Sequence, residues 1–197
     1  MTRRRFVFCS LFIAVGLTTA APRGMAQSDA VAFINQLGVQ AIQVLGPNVA
    51  MPQRVQRFHQ LFGSDFDLPG IAQFTLGRYW RIATPQQQQD YLGLLQDYLA
   101  QAYAGRLAQY AGEKFAATGA QQQGDITVVS SEITRNDGSK IGVQWHLINK
   151  GGWKITDAYV AGVSMAITQR DEFASVIQQG GGQVQYLLDR IRQKVRS

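Results

Sequence analysis

Cysteine is almost missing from this sequence, since Cys9 is the only one in 197 residues. It lies near the amino terminus, within a segment that has the features of a removable leader. The rest of the chain can therefore form no disulfide, no thiolate nucleophile and no cysteine-ligated metal site. Histidine is also scarce, because only His59 and His146 occur and neither has the spacing of a metal-binding motif. We expect no metal site and no cofactor.

A long apolar run is missing as well. The apolar stretch Phe6–Leu17 is too short to span a bilayer as a helix. It follows three arginines, Arg3–Arg5, and precedes the small-residue triplet Gly24–Ala26, which together are typical of a secretory signal peptide. We predict a cleaved signal peptide over residues 1–26 and a single domain over residues 27–197. The arginines fit either the general secretory route or the twin-arginine route.

Basic residues are in excess only because of the leader. The whole chain has 19 Lys and Arg, 13 Asp and Glu, and a net charge of +6. Four of the arginines lie in the leader, so its removal leaves 15 basic residues against 13 acidic ones, a net charge of +2. A protein that binds nucleic acid needs a basic stripe on its folded domain. We therefore expect no nucleic-acid partner.

The order of the hydrophobic periods predicts helices, then strands, then helices, which is typical of an α+β domain. A cap at Ser28 predicts a first helix to about Leu45, Pro52 begins a second, and Asp67 precedes a short third. The strongest signal is Thr84–Gln87, which combines a capping threonine, a proline at the first helical position and a glutamine three residues after the cap. A long helix should follow, to about residue 110.

After this helix the period changes to two, as in β-strands. Their pattern predicts an antiparallel meander of about four strands, with one apolar face covered by helices. A capping box at Thr168–Asp171 predicts the helix that follows the sheet, and a final amphipathic helix runs from Val184. The predicted strands lie near Phe115 and over residues 125–134, 141–147 and 153–162.

One segment is similar to a catalytic motif. Gly162–Ala166 is close to the G-x-S-x-G nucleophile elbow, which would make Ser164 the nucleophile of a small esterase. In that fold a histidine follows the serine along the chain, and none follows Ser164. The expected cap at Thr168 also places Ser164 in extended chain rather than at a sharp turn. We predict no catalytic residue, and replacing Ser164 with alanine should cost little stability.

The apolar face of the sheet predicts either an apolar cavity or a filled core, and periodicity alone does not separate the two. Alternation along the third strand directs three apolar side chains towards the helices. Three more come from the helical side, and a methionine, which suits an adaptable apolar site, lies at the edge. The candidate cavity residues are Leu76, Trp80, Tyr103, Val143, Trp145, Leu147 and Met165.

Several short motifs, in a fixed order, carry a family resemblance over about residues 30–192. Together they resemble the toluene-tolerance/MlaC family of phospholipid-binding proteins, and the region around Thr168 is also similar to its hopanoid-associated HpnM branch. One residue departs from the family, which often has glutamate where this chain has Ala161. The motifs are Phe74–Pro85, Tyr98–Tyr103, Gly124–Asp125, Trp153–Asp157, Gly162–Met165 and Thr168–Arg170.

The resemblance implies a non-enzymatic, monomeric periplasmic carrier with an NTF2-like fold around an apolar cavity. Such a carrier shuttles phospholipid, or a hopanoid, between the inner and outer membranes. The seven candidate cavity residues would then be its lipid-binding residues. Its partners would be an inner-membrane ABC transporter complex and an outer-membrane lipoprotein complex. Two alternatives stay open: an exported lipid esterase that uses Ser164, and an adaptor of a transport complex that has a solid core and binds no lipid.

Overall fold

The chain forms an α+β fold in a computed structural model that describes residues 23–44, 49–106 and 113–196. The predicted fold class is confirmed, and a two-residue strand adds a fifth member to the expected sheet. Residues 1–22 of the predicted leader and the predicted carboxyl end of the long helix lie outside the described residues, whereas residues 23–26 form the start of α1. The elements are α1 Arg23–Val44, α2 Met51–Asp65, α3 Leu68–Leu76 with a 3₁₀ turn Gly77–Arg81, α4 Pro85–Arg106, β1 Lys114–Gln123, β2 Ile126–Thr134, β3 Lys140–Asn149, β4 Trp153–Val160, β5 Val163–Ser164, α5 Met165–Gln179 and α6 Val184–Arg196.

The five strands pair with their sequence neighbours in the order β1-β2-β3-β4-β5, and every pair is antiparallel. This is the predicted meander. Register shifts give β1 one extra residue in its pairing with β2, between Ala117 and Gly119, and give β4 one extra residue opposite His146 and Leu147 of β3. Such bulges bend a strand and increase its twist, so they help the sheet to curve around what lies on its inner face.

The helices bury a core of their own. It includes Phe58, Leu95, Phe173 and Leu188, from α2, α4, α5 and α6. Within the part of the chain that the structure describes, no helix is long and apolar enough to cross a membrane. The helix α4 lies at the centre of this core and is buried against several other helices.

A buried hydrogen bond joins α3 to α4. The Tyr91 hydroxyl lies 2.7 Å from Thr75 Oγ1, and Thr75 in turn donates to the carbonyl oxygen of Ile71 at 2.7 Å. Because the single proton of Thr75 is used in that bond, the Tyr91 hydroxyl is the donor to Thr75. Burial raises the pKa of Tyr91 well above its usual range, so the phenol stays protonated and the bond persists.

A second apolar cluster lies where α1 crosses the sheet. Ala30 and Ile34 of α1 pack against Val129 of β2, and none of the three is exposed to solvent. The close approach depends on Gly38, because a Cβ atom there would lie 2.1 Å from a ring carbon of Phe115. Glycine at this one position allows α1 to lie directly on β1.

Three predicted helix starts have different outcomes. The capping box at Thr84 is confirmed: Thr84 Oγ1 accepts from the Gln87 amide at 3.2 Å, and Gln87 Oε1 accepts from the Thr84 amide at 3.0 Å. The cap at Ser28 is wrong, since α1 already includes Arg23 and the Ser28 hydroxyl donates to the carbonyl oxygen of Met25. Asp67 precedes α3 as predicted, but its carboxylate pairs with Lys150 Nζ at 2.8 Å and does not cap the helix.

The predicted start of α5 at Thr168 is also wrong. The helix begins at Met165, and Ser164 is its N-cap, with Oγ accepting from the Ile167 amide at 3.0 Å. The reason is that the short strand β5 ends at Ser164, so the chain turns into the helix one turn earlier than the sequence suggested. Thr168 lies inside the helix and donates to the Ser164 carbonyl oxygen. The backbone of Ser164 is extended, as predicted.

The turn between β4 and β5 predicts a stabilising substitution. Ala161 and Gly162 have φ angles of 50° and 82°, and Ala161 is the one non-glycine residue with positive φ among the described residues. A left-handed alanine is strained by roughly 1–2 kcal/mol, whereas asparagine tolerates this conformation and favours such two-residue turns. Ala161→Asn should raise the free energy of unfolding by about 0.5–1 kcal/mol in urea titrations. Ala161→Val should lower it, and equal stability of both variants would contradict the strain.

Because Ser164 caps α5, replacing it should clearly lower the stability of the protein, whereas the sequence alone led us to expect only a small loss. Ser164→Ala removes the N-cap of α5 and a hydrogen bond to the Asp157 carboxylate. We expect the free energy of unfolding to fall by about 1–2 kcal/mol, while Ser164→Thr, which keeps the hydroxyl, should lose less. Thermal and urea melts of the two variants provide the measurement. An unchanged midpoint for Ser164→Ala would show that the cap is dispensable.

Candidate functional site

A cavity of about 240 Å³ lies between the inner face of the sheet and the helices. Its helical walls come from α1 (Leu37 and Ile42), α2 (Phe58 and Phe62) and α4 (Leu99). The first turns of α5 close the remaining side. The wall is predominantly apolar, and a cavity of this kind stays dry or takes up an apolar ligand.

The sheet side of the cavity is arranged in rows of paired residues that run across the strands. The first, which we call the rim row, consists of Phe115, Ile133 and Ile141. The second row contains Val143 and Val160. All five residues line the cavity.

The remaining two rows show where the cavity ends. Trp145 and Ala158 form the third row and still line it. Leu147 and Ile155 form the fourth, the floor row, where both are fully buried in the cluster beneath α1. Ile133 of the rim row, by contrast, is only half-buried. The cavity is thus closed at the floor row and opens at the rim row.

The structure brings four of the seven predicted lipid-binding residues together around the cavity. Tyr103, Val143, Trp145 and Met165 all line it.

The other three lie elsewhere. Leu76 is buried in the helical core, Trp80 packs against that core from the 3₁₀ turn, and Leu147 belongs to the floor row. Lipid contact by all seven stays a prediction, and the geometry supports it for the four that line the cavity.

Sequence reasoning missed the contributions of α1, α2 and β1 to the wall. Phe58 and Phe62 are spaced for one helix face, which is a signal for burial but not for a cavity. Phe115 is a lone aromatic at the start of its strand, and its ring meets that of Trp145 edge-on at 6.4 Å between centroids. No local pattern distinguishes these residues from core.

Two polar side chains of the wall, Trp145 and Thr75, are hydrogen-bonded within the protein. Trp145 Nε1 donates to Ser131 Oγ at 2.8 Å, and Ser131 donates to the carbonyl oxygen of Val143 at 3.3 Å. Thr75, which also lines the cavity, is bonded to Tyr91 and Ile71. These bonds let the indole of Trp145 and the side chain of Thr75 present their apolar surfaces to the cavity without leaving a polar atom unpaired.

The geometry around Ser164 is that of a helix cap. Its hydroxyl donates to Asp157 and accepts from the Ile167 amide. His59 lies on α2 with Nε2 3.2 Å from Asp97 Oδ1, and the ring of His146 stacks on Tyr159 at 4.6 Å. Neither histidine bonds to Ser164 within the described ranges, and no cluster of three or more His, Cys, Asp or Glu residues there could hold a metal ion. The contacts of Ser164 thus give it a structural role at the start of α5.

Comparisons with known proteins agree on one family. The toluene tolerance protein Ttg2D of Pseudomonas putida is 26% identical over 134 residues, which are 66% of this chain and 62% of that protein. The chain thus spans less than two thirds of that relative. The phospholipid-binding protein of Ralstonia solanacearum, solved in complex with a phospholipid, superposes with a TM-score of 0.71 at 24% identity, over 85% of this chain and 97% of that one.

The family model of the MlaC protein matches residues 40–193. This range covers α2 to α5 entirely, with the last turn of α1 and most of α6, and therefore every residue that lines the cavity except Leu37 and Gly38. Since the match extends over well more than half of the sequence, the chain belongs to the MlaC family.

Proposed function

We propose that this protein is a periplasmic lipid carrier that holds the acyl chains of a phospholipid in the cavity and leaves the head group at the rim row. The observation that carries the proposal is the cavity itself, which is apolar along its wall, closed at the floor row and open at the rim row. The phospholipid complex of the structural relative and the family membership support it.

The energetics of transfer suit a carrier. Two acyl chains contain roughly 30 methylenes, each worth about 0.8 kcal/mol when removed from water, or on the order of 24 kcal/mol in total. A membrane offers nearly the same apolar environment, so the free energy of exchange between membrane and cavity lies near zero. A small bias from a partner can therefore load or unload the protein, and no chemical reaction is needed.

The wider setting is part of the same proposal. Residues 1–26 would direct export and be removed, and the mature chain would exchange lipid with an inner-membrane ABC transporter complex and an outer-membrane lipoprotein complex. Support comes from the features of the leader and from the similarity to Ttg2D. The esterase alternative has no geometric support, since Ser164 caps a helix. The adaptor alternative requires a filled core, and the presence of the cavity argues against it.

The position of Trp145 in the cavity wall allows a direct fluorescence test of lipid binding. The chain has three tryptophans, and of these Trp145 lines the cavity while Trp80 and Trp153 pack elsewhere. In the double variant Trp80→Phe/Trp153→Phe, a phospholipid with brominated acyl chains should strongly quench the remaining fluorescence, because bromine quenches on contact. Fluorescence titration provides the measurement.

The matched control is Trp145→Phe, which keeps the other two tryptophans and should be quenched far less. Mass spectrometry of lipid extracted from gently purified protein would identify the natural cargo, and a hopanoid would be recognised there by its mass. Absence of both co-purifying lipid and quenching would rule out the carrier.

Substitutions at two positions on β3 can distinguish residues that line the cavity from residues that fill the core. Val143 and Leu147 share the inner face, but Val143 lines the cavity and Leu147 lies in the floor row. Val143→Glu should lose co-purifying lipid and keep a cooperative melt, because the open cavity can hydrate the charge. Leu147→Glu should abolish the melt, since a charge in a dry core has no partner. Circular dichroism and lipid analysis report the two properties, and a lipid-loaded Val143→Glu protein would contradict the site.

A further inference from the structure

The sheet side of the cavity ends between two adjacent rows of paired residues. Trp145 and Ala158 form the last row that lines the cavity. The next pair, Leu147 and Ile155 of the floor row, has no exposure to solvent and lies in the cluster beneath α1. Packed side chains therefore close this end of the cavity, whereas the rim row is open.

The depth of the cavity along the strands follows from the register of β3. Ile141 lies in the rim row, Trp145 lies four residues further along, and Leu147 of the floor row follows after two more. At about 3.3 Å per residue, the lining extends over about 13 Å and the floor row lies at about 20 Å. The acyl chains of one leaflet span about 15 Å, half of the hydrocarbon core of a bilayer. A chain of ordinary membrane length that starts at the rim row therefore ends beside Trp145.

The helical side of the cavity is closed as well. Thr75 and Leu95 line the cavity there, and both are almost completely buried. Behind them, the hydroxyl of Tyr91 lies 2.7 Å from Thr75 Oγ1 and joins α4 to α3. A chain that bends towards the helices thus also meets packed side chains, so the space for chain ends is limited on both sides.

Ala158 is the small residue at the deep end of the sheet side. Its partner across the strands, Trp145, is held by the hydrogen bond from Nε1 to Ser131 Oγ at 2.8 Å. Because the indole is fixed, the methyl group of Ala158 leaves room beside it for the end of an acyl chain. A larger side chain at this position would occupy that room.

We infer that the floor row stops the acyl chains, and that Ala158 sets the longest chain that the cavity holds. A chain longer than the open depth leaves its extra methylenes at the rim, in contact with water. Each exposed methylene should weaken binding about fourfold relative to the membrane, where all of them are buried. This specificity rests on the proposed carrier function and adds an upper limit of chain length to it.

The test offers the protein fluid vesicles that contain equal amounts of myristoleoyl, oleoyl and erucoyl phospholipids with the same head group. After re-isolation of the protein, the bound lipids are counted by mass spectrometry. Wild-type protein should hold the myristoleoyl and oleoyl lipids in the proportion of the vesicles. The erucoyl lipid, whose chains are the longest, should be depleted about tenfold or more, as expected for a few exposed methylenes.

The first variant, Ala158→Leu, fills the space beside Trp145. It should move the limit back by one row, about 7 Å along the strand, so that the oleoyl lipid is depleted as well and the myristoleoyl lipid is retained. The matched control is Ala116→Leu. Ala116 is exposed and lies between two residues of β1 that face the helices, hence on the opposite face of the sheet. This control should keep the limit of the wild type.

A second variant, Leu147→Ala, removes side-chain volume from the floor row and should admit the erucoyl lipid. The wild-type series needs no variant, so the inference stays testable if a substitution prevents folding. Equal binding of all three lipids by the wild type, or an unchanged limit in folded Ala158→Leu protein, overturns the inference. Either result leaves the carrier function standing as long as lipid is bound, whereas no bound lipid at all would refute the carrier function itself.

Discussion

The carboxylate of Asp157 holds together the corner of the fold on which the cavity depends. It accepts hydrogen bonds from the Ser164 hydroxyl and from the Ala166 amide, the latter at 2.9 Å. These bonds tie the end of β4 to the first turn of α5, and that turn brings Met165 and Ala166 into the wall. Ser164 also caps α5. The pair of Asp157 and Ser164 therefore lies both where the sheet ends and where the helix that closes the cavity begins.

Hydrogen bonds within the protein also satisfy polar side chains in the other walls of the cavity. Polar groups in an apolar cavity wall need partners within the protein, since the cavity itself offers them none. Trp145 is bonded to Ser131 within the sheet, and Thr75 is bonded to Tyr91 between helices. The apolar character of the wall therefore depends as much on hydrogen bonds behind it as on the side chains that face it.

Much of the fold follows from local sequence signals, because these signals act over a few residues. The capping box at Thr84 and the alternation along β3 each specify their element without help from distant parts of the chain. The failure at Thr168 has the same origin: its pattern was valid locally, but the end of β5 placed a stronger cap at Ser164. Where two local capping signals compete, the position of the preceding strand in the fold decides at which residue the helix begins.

The extent of the cavity could not be predicted in this way. Val143 and Leu147 are indistinguishable by alternation, hydrophobicity or size class, yet one lines open space and the other is packed beneath α1. What separates them is how far α1 covers the sheet, which depends on the contact between Gly38 and Phe115.

The cavity also gives the protein an unusual response to hydrostatic pressure. Unfilled internal space is eliminated when a chain unfolds, so pressure favours unfolding in proportion to that space. A cavity of about 240 Å³ should therefore make the unfolding of the empty protein more sensitive to pressure than that of a solid domain of the same length. In the proposed carrier, a lipid that filled this volume would remove the difference, so the loaded and empty forms would differ in density as well as in contents.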